Sequence, residues 1–251
     1  MFLVNYSSTS ESETEENGKE DHSQQLEKKK VILPKASTLL GKRKLPSPDD
    51  QVIDDPSQHE GRIRSFKHER GNWATYVFVA TPKQLLEDVQ EMCLKQLDTK
   101  YDFKICTDPH ISLSRTVILQ YHFIESFVKN LEEELTANGR FTISLSQLKA
   151  YTNAERTRTF VAIKVDDIHL EKMLEILKKV DQVMLNFKLA TFYEDPSFHI
   201  SILWCLGDYV DEITKQLPDI LHSIRELLPI ELRIEKLYCK SGFKEFSFDL
   251  K

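Results

Sequence analysis

Two stretches of this 251-residue chain decide its fold: DPHISLS at residues 108–114 and DPSFHISIL at residues 195–203. Both carry the pattern His-apolar-Ser-apolar shortly after an Asp-Pro pair. Alternation of polar and apolar residues is typical of a β-strand with one buried face. Because the stretch occurs twice, the sequence predicts two similar halves, each with one such strand.

The alternation also predicts where the polar side chains point. Residues i and i+2 of a strand lie on the same face, about 6.5–7 Å apart. His110 and Ser112 therefore share one face of the first strand, while Ile111 points into the core. His199 and Ser201 share a face of the second strand in the same way. Packing the halves about a pseudo-two-fold axis would place the two pairs on opposite sides of a common cleft.

Two imidazoles on either side of a phosphodiester suit general acid–base chemistry. One neutral His removes a proton from the attacking oxygen, and one protonated His donates a proton to the leaving oxygen. An ordinary pKa of about 6.5 allows both forms near neutral pH. The hydroxyls can stabilise the non-bridging oxygens. This arrangement requires no metal ion and no cofactor. A single motif of this kind is more often structural, but its recurrence favours catalysis.

The rest of the pattern mixes helices with short hairpins. Strands are predicted at residues 73–80, 110–117, 141–151, 159–165, 199–204, 231–239 and 243–250, and helices at residues 82–97, 122–137, 170–187 and 210–227. This order predicts an α+β fold with antiparallel sheets rather than a uniform βαβ series. The sequence contains no GxGxxG or GxxxxGK[ST] motif, which excludes nucleotide-phosphate loops of those types.

Aromatic residues are distributed unevenly. Phe2 and Tyr6 are the only aromatic residues in 1–60, which predicts a disordered charged tail there and a folded domain over 61–251. The tail has basic clusters at 28–30 and 42–44, which are either a nuclear localisation signal or solvated charge.

Several classes of protein are excluded by composition and pattern. The sequence has no run of 18 apolar residues and no secretory signal pattern, so neither a transmembrane helix nor secretion is expected. The four cysteines form no CxxC pair, which argues against a zinc site. The net charge of −6 argues against binding nucleic acid through bulk charge.

The two motifs resemble those of the 2H phosphoesterase superfamily, which is named for its two His-x-Ser/Thr motifs. Within it, four segments are similar to the U6 snRNA phosphodiesterase family. They are KHERGNWAT at 67–75, YTNAERTRTF at 151–160, TFYEDPSFHISILW at 191–204 and CKSGFKEF at 239–246. The resemblance covers residues 61–251 and not the tail.

This resemblance implies a bilobal fold, in which two pseudo-symmetric lobes of antiparallel sheet surround a central groove and helices lie outside. It implies a nuclear 3′–5′ RNA exonuclease that shortens the 3′ oligouridine tail of U6 snRNA. The 2′-hydroxyl beside the scissile phosphate would attack it and leave a 2′,3′-cyclic phosphate. RNA is the expected partner, with no membrane and no metal ion, and the protein is expected to be a monomer.

The resemblance also assigns roles to individual residues. His110, Ser112, His199 and Ser201 match the catalytic tetrad, and Tyr193 matches the residue that stacks on the terminal base. The Ser197–Ser201 stretch would line the nucleotide pocket, and the further residues predicted to bind substrate are Ser197, Phe198, Ile111 and Ile200.

Three further substrate-binding candidates lie in or beside the turn that joins the central hairpin. Arg156 and Arg158 either contact the RNA backbone or are solvated turn residues. Tyr151 either lines the groove or only closes its strand.

Two other functions use the same features. A 2′,3′-cyclic phosphodiesterase would use the same four residues with water as the nucleophile and would leave a 3′-phosphate. A catalytically silent RNA-binding adaptor would keep the fold without the reaction, but intact His and Ser residues at all four positions argue against it.

Overall fold

The computed structural model describes Gly61 and residues 69–251. The predicted tail at 1–60, with both of its basic clusters, lies outside the described residues.

The described residues form ten β-strands and four α-helices. The strands are β1 (Asn72–Ala80), β2 (Lys104–Ile105), β3 (His110–Ser112), β4 (Val117–Gln120), β5 (Phe141–Thr152), β6 (Arg158–Val165), β7 (His199–Leu206), β8 (Ile230–Ile234), β9 (Lys236–Ser241) and β10 (Lys244–Asp249). The helices are α1 (Glu87–Gln96), α2 (Ile124–Leu135), α3 (Leu170–Asn186) and α4 (Val210–Ile224). None of the helices in this part of the chain is long and apolar enough to cross a bilayer.

The strands pair in the order β10-β9-β1-β3-β7-β6-β5-β8, and β4 and β2 pair with β1 and β7. Every pair is antiparallel. We call β1, β3, β4, β9 and β10 the first lobe, and β2, β5, β6, β7 and β8 the second lobe. The α+β class with antiparallel sheet and outer helices is confirmed.

The lobes meet where the two motif strands pair. The register between β3 and β7 records one Cα pair, Ile111 opposite Ile200. Both isoleucine side chains are fully buried, and they belong to one apolar core that extends through both lobes. The predicted cleft therefore lies across a junction between two adjacent strands, and the sheet is continuous through it.

Helices cover the buried side of the sheet in two pairs. Helix α1 packs against α4 and contacts β2 and β7, while α2 packs against α3 and contacts β9 and β10. Each helix buries an apolar stripe, as in α2, where Ile124, Phe127, Leu131 and Leu135 recur at helical spacing. The opposite side of the central strands stays open for a site.

The predicted strand at 231–239 is wrong, because the chain changes lobe within it. It divides at Glu235 into β8, which pairs with β5, and β9, which pairs with β1 and β10. Each part alternates by itself, but the alternation shifts by one residue between them, because Glu235 and Lys236 are both exposed. The buried positions are even-numbered in β8 and odd-numbered in β9.

The predicted strand at 110–117 is also interrupted. Strand β3 ends at Ser112, and β4 begins at Val117. Between them, the Ser114 hydroxyl accepts a hydrogen bond from the Val77 backbone N–H at 2.8 Å and donates one to the Arg115 carbonyl at 2.9 Å. A side chain thus replaces a backbone partner of β1, and the chain leaves the ladder at this point.

The junction between the lobes makes a testable contribution to stability. Ile200→Ala should lower the free energy of unfolding by about 2–5 kcal/mol, because it leaves a cavity in a packed core. The matched variant Ile168→Ala, at a side chain that is 82% exposed, should change it by less than about 0.5 kcal/mol. Urea denaturation measures both, and equal losses in the two variants would contradict a packed junction.

Candidate active site

The pairing of β3 with β7 brings the four predicted catalytic residues together. In an antiparallel pair, the neighbours of a register pair face each other across the strands. With Ile111 opposite Ile200, His110 lies opposite Ser201 and Ser112 lies opposite His199. Cross-strand neighbours have Cβ atoms about 4.5–5.5 Å apart. The tetrad thus forms a four-cornered group on the open face, and each His has a Ser from the other lobe beside it.

The two imidazoles are held in the same way. His110 donates a hydrogen bond from Nδ1 to the backbone carbonyl of Asp108 at 2.8 Å, and His199 donates one from Nδ1 to the carbonyl of Ser197 at 2.6 Å. Because a carbonyl can only accept, each Nδ1 carries a proton. In each His, Nε2 is therefore the atom that accepts or donates a proton during a reaction.

Burial lowers the pKa of both imidazoles. For His110, the hydrogen bond to the Asp108 carbonyl and the Asp108 charge offset part of this effect, and Lys240 adds to it. For His199, the hydrogen bond to Ser197 raises the pKa, whereas the charges of His110 and Lys149 lower it further. The charge of a protonated His110 lowers the pKa of His199, so protonation of both imidazoles at the same time is disfavoured.

The aromatic surroundings of the two imidazoles differ. The Tyr151 ring stacks on His199 with a centroid distance of 3.9 Å and an interplanar angle of 14°. Its hydroxyl is hydrogen-bonded to the Ser197 side chain at 2.7 Å. His110 instead contacts Tyr76 and Phe78 at angles of 37° and 68°. Tyr151 therefore contacts His199 through its ring and Ser197 through its hydroxyl.

A groove of about 740 Å³ opens beside the tetrad. It is lined by these predicted site residues: Ser112, Tyr151, Arg156, Tyr193, Ser197, His199 and Ser201. His110 faces Ser201, which is one of them. In the part of the chain that the structure describes, no group of three or more His, Cys, Asp or Glu side chains could hold a metal ion.

Comparison with known proteins gives consistent matches along the whole chain. The HVSL family model, described as an uncharacterised conserved protein, matches residues 39–249. U6 snRNA phosphodiesterase 1 of Drosophila melanogaster is 40% identical over 262 residues, with all of both chains covered. The chain belongs to the U6 snRNA phosphodiesterase family. The human U6 snRNA phosphodiesterase 1 is 39% identical, over 82% of this chain and 80% of its own.

Solved structures show that this phosphodiesterase has the 2H phosphoesterase fold. Usb1 of Kluyveromyces marxianus superposes with a TM-score of 0.51 at 15% identity, over 72% of this chain and 99% of its own. E. coli LigT, crystallised with 3′-AMP, gives a TM-score of 0.50 at 9% identity, over 72% and 96% of the two chains. At these identities the likeness concerns the fold alone.

Three side chains that were predicted to bind substrate do not line the groove of the phosphodiesterase. Ile111 and Ile200 are fully buried, and Phe198 is 2% exposed. The isoleucines point away from the groove, because they alternate with the His and Ser residues. Phe198 packs parallel to Phe192 at a centroid distance of 6.1 Å. These side chains support the site from the core and do not line it.

The three candidates around the hairpin turn have different positions. Tyr151 lines the groove, which decides between the two interpretations of this residue. Arg156 also lines it, and its guanidinium is hydrogen-bonded to Asp208. The Arg158 guanidinium lies over the ring of Phe160, 5.4 Å from its centroid, and Phe160 lines the groove.

Several groove residues were not predicted from the sequence. Among them are Arg115, Thr116, Lys149, Asn153 and Phe160. The sequence positions of two of these residues could have predicted that they lie near the site. Lys149 is two residues before Tyr151 in β5 and so shares its face, and Arg115 directly follows the first motif.

The stacked Tyr151 predicts a measurable effect on turnover. Tyr151→Ala removes both the ring and the hydroxyl, and kcat of the phosphodiesterase should fall about two- to tenfold because His199 loses its stacking partner. Tyr151→Phe keeps the ring and should lose less. Steady-state kinetics separate kcat from KM.

The matched control is Tyr121→Ala, because the Tyr121 ring contacts Trp73 at a centroid distance of 5.5 Å and an interplanar angle of 45° and lies outside the groove. It should retain the wild-type kcat. An increase in KM alone for Tyr151→Ala would contradict the positioning of His199 and would favour direct contact with the substrate.

Proposed function

We propose that this phosphodiesterase is a metal-independent 3′–5′ RNA exonuclease that shortens the oligouridine 3′ end of U6 snRNA and leaves a 2′,3′-cyclic phosphate. The observation that carries the proposal is the cross-strand arrangement of His110 with Ser201 and of Ser112 with His199. The Drosophila and human relatives, both named U6 snRNA phosphodiesterase 1, support the choice of substrate.

The reaction follows from the two imidazoles. One neutral Nε2 takes the proton of the 2′-hydroxyl beside the scissile phosphate, and that oxygen forms a bond to phosphorus. The bond from phosphorus to the 5′-oxygen of the terminal nucleoside breaks, and the other, protonated imidazole gives its proton to this leaving oxygen. The RNA then ends in a 2′,3′-cyclic phosphate, and a nucleoside with a free 5′-hydroxyl is released.

The hydroxyls of Ser112 and Ser201 would stabilise the charge that moves onto the non-bridging oxygens. Each stands beside a His of the other lobe, so a phosphate between the motifs is within reach of donors from both sides. Such stabilisation is effective in a site that is already organised before the reaction. The four side chains supply the proton transfers and the charge stabilisation, so the proposed reaction needs no metal ion.

The groove would bind the last nucleotides of the RNA. Tyr193 is 51% exposed at its edge, where its ring can stack on the terminal base, an interaction worth about 1–3 kcal/mol per base. Arg156 would exchange Asp208 for a phosphate of the RNA backbone, and Ser197 would line the pocket. Because one chain supplies all of these groups, we expect the enzyme to act as a monomer.

The organisation of the chain is part of the same proposal. Residues 61–251 would form the catalytic domain, and residues 1–60 would form a charged tail. The basic clusters at 28–30 and 42–44 support a nuclear address in that tail, in keeping with a substrate that is a small nuclear RNA.

Substitution of either catalytic His should abolish trimming and spare binding. His110→Ala or His199→Ala should lower kcat about 10²–10⁴-fold, because a proton-transfer group is lost. The Kd for a 3′-oligouridine RNA should change little. His122→Ala is the matched control, since His122 lies in the turn before α2, and it should behave like the wild type. Gel assays of trimming and fluorescence anisotropy measure the two quantities.

The same assay tests the other parts of the proposal. Excess EDTA should leave the wild-type rate unchanged, and a full loss of activity would overturn metal independence. Mass spectrometry of the product should show a cyclic phosphate. A linear 3′-phosphate as the first product would favour the cyclic phosphodiesterase instead, and absence of turnover would favour the silent adaptor.

A further inference from the structure

Arg115 and Tyr193 meet across the mouth of the groove. Arg115 belongs to the loop between β3 and β4 in the first lobe, and Tyr193 to the segment between α3 and β7 in the second lobe. The guanidinium carbon of Arg115 lies over the Tyr193 ring, 4.7 Å from its centroid. Both residues line the groove. This cation–π contact therefore joins a loop between two strands of the first lobe to the segment that enters β7 of the second lobe.

The loop that carries Arg115 is fixed by an additional serine of the first motif. Ser114 is buried, accepts a hydrogen bond from the Val77 N–H and donates one to the Arg115 carbonyl. The second motif has Leu203 at the equivalent position. The two motifs thus differ at the residue that anchors Arg115 to β1, and only the first lobe can present an arginine in this way.

The Tyr193 ring has few other supports. Its chain is tied to α3 through Phe192, whose backbone N–H donates to the Asp181 carboxylate at 2.8 Å. The ring itself contacts the Phe192 ring at a centroid distance of 5.1 Å and an angle of 72°, and the guanidinium of Arg115. Half of its surface is exposed. Without Arg115, the ring would therefore gain freedom to turn into solvent.

The Arg115 guanidinium differs from that of Arg156 in its charged neighbours. Among the described residues it takes part in no ion pair, whereas Arg156 in the same groove is paired with Asp208. A guanidinium can stack on an aromatic ring while its N–H groups remain able to donate in its plane. The side chain can therefore hold Tyr193 in the presence of RNA.

We propose that Arg115 is a positioning residue that holds the Tyr193 ring across the groove and so completes, from the first lobe, the site for the terminal base. This inference rests on the proposed function, because it concerns the base-stacking site of the same reaction. It predicts that Arg115 acts through Tyr193 and only when the substrate has a terminal base.

The test compares two oligouridine RNAs that differ only in the 3′-terminal nucleotide, which carries its base in one and is abasic in the other. Arg115→Ala should lower kcat/KM about two- to fivefold on the RNA with the base, mainly through KM, as expected for loss of an exposed cation–π contact. On the abasic RNA it should have little effect. Arg115→Lys should recover part of the loss.

Two further variants sharpen the test. Tyr193→Ala should remove the effect of Arg115→Ala, so the double variant should be no worse than Tyr193→Ala alone. Lys244→Ala is the matched control, because Lys244 lies 4.8 Å from the ring centroid of Tyr121, in a cation–π pair outside the groove. It should leave cleavage of both RNAs unchanged.

Two results would overturn the role of Arg115. Equal losses on the two RNAs would mean that it binds phosphate or ribose independently of the base. Additive losses in the double variant would mean that it does not act through Tyr193. Failure of the wild-type enzyme to cleave either RNA would instead overturn the proposed function itself.

Discussion

The site depends on one strand pairing, in which Ile111 of β3 lies opposite Ile200 of β7. Burial of both isoleucines fixes which face of each strand is turned toward the core. A slip of one residue in either strand would exchange its buried and open faces and move its His and Ser into the core. Core packing therefore decides which side chains of the two strands face the groove.

The tautomers and the surroundings of the two imidazoles bear on the direction of the reaction. Both imidazoles have the same tautomer, because each donates from Nδ1 to a carbonyl two residues earlier. Their surroundings differ, since the charge of Asp108 lies near His110 while Tyr151 stacks on His199. Binding of the terminal base at Tyr193 would then decide which side of the phosphate meets which imidazole. In the proposed reaction, the fold supplies two imidazoles with the same tautomer in different surroundings, and binding of the terminal nucleobase would assign their roles.

The sequence predicted most of the local structure, because both motifs and most strands alternate strictly. It also predicted that His110 and Ser112 would share a face of one strand, and that His199 and Ser201 would share a face of another. It did not predict that β3 and β7 would be neighbours, because strand pairing depends on contacts far apart in the chain. The stretch 231–239 was interpreted as one strand, although Glu235 and Lys236 interrupt its alternation and its halves pair in different lobes. Arg115 was missed because its partner, Tyr193, comes from a distant segment.

In the proposed reaction, the 2′-hydroxyl of the RNA is the nucleophile, one imidazole takes its proton, and the other gives a proton to the leaving oxygen. The most direct measurement uses 3′-oligouridine RNAs with a single 2′-deoxynucleotide, followed by mass spectrometry of the products. A deoxynucleotide at the penultimate position should block release of the terminal nucleoside, whereas one at the terminal position should leave release intact. Release from the penultimate 2′-deoxy RNA would contradict attack by the 2′-hydroxyl, because water would then have to be the nucleophile.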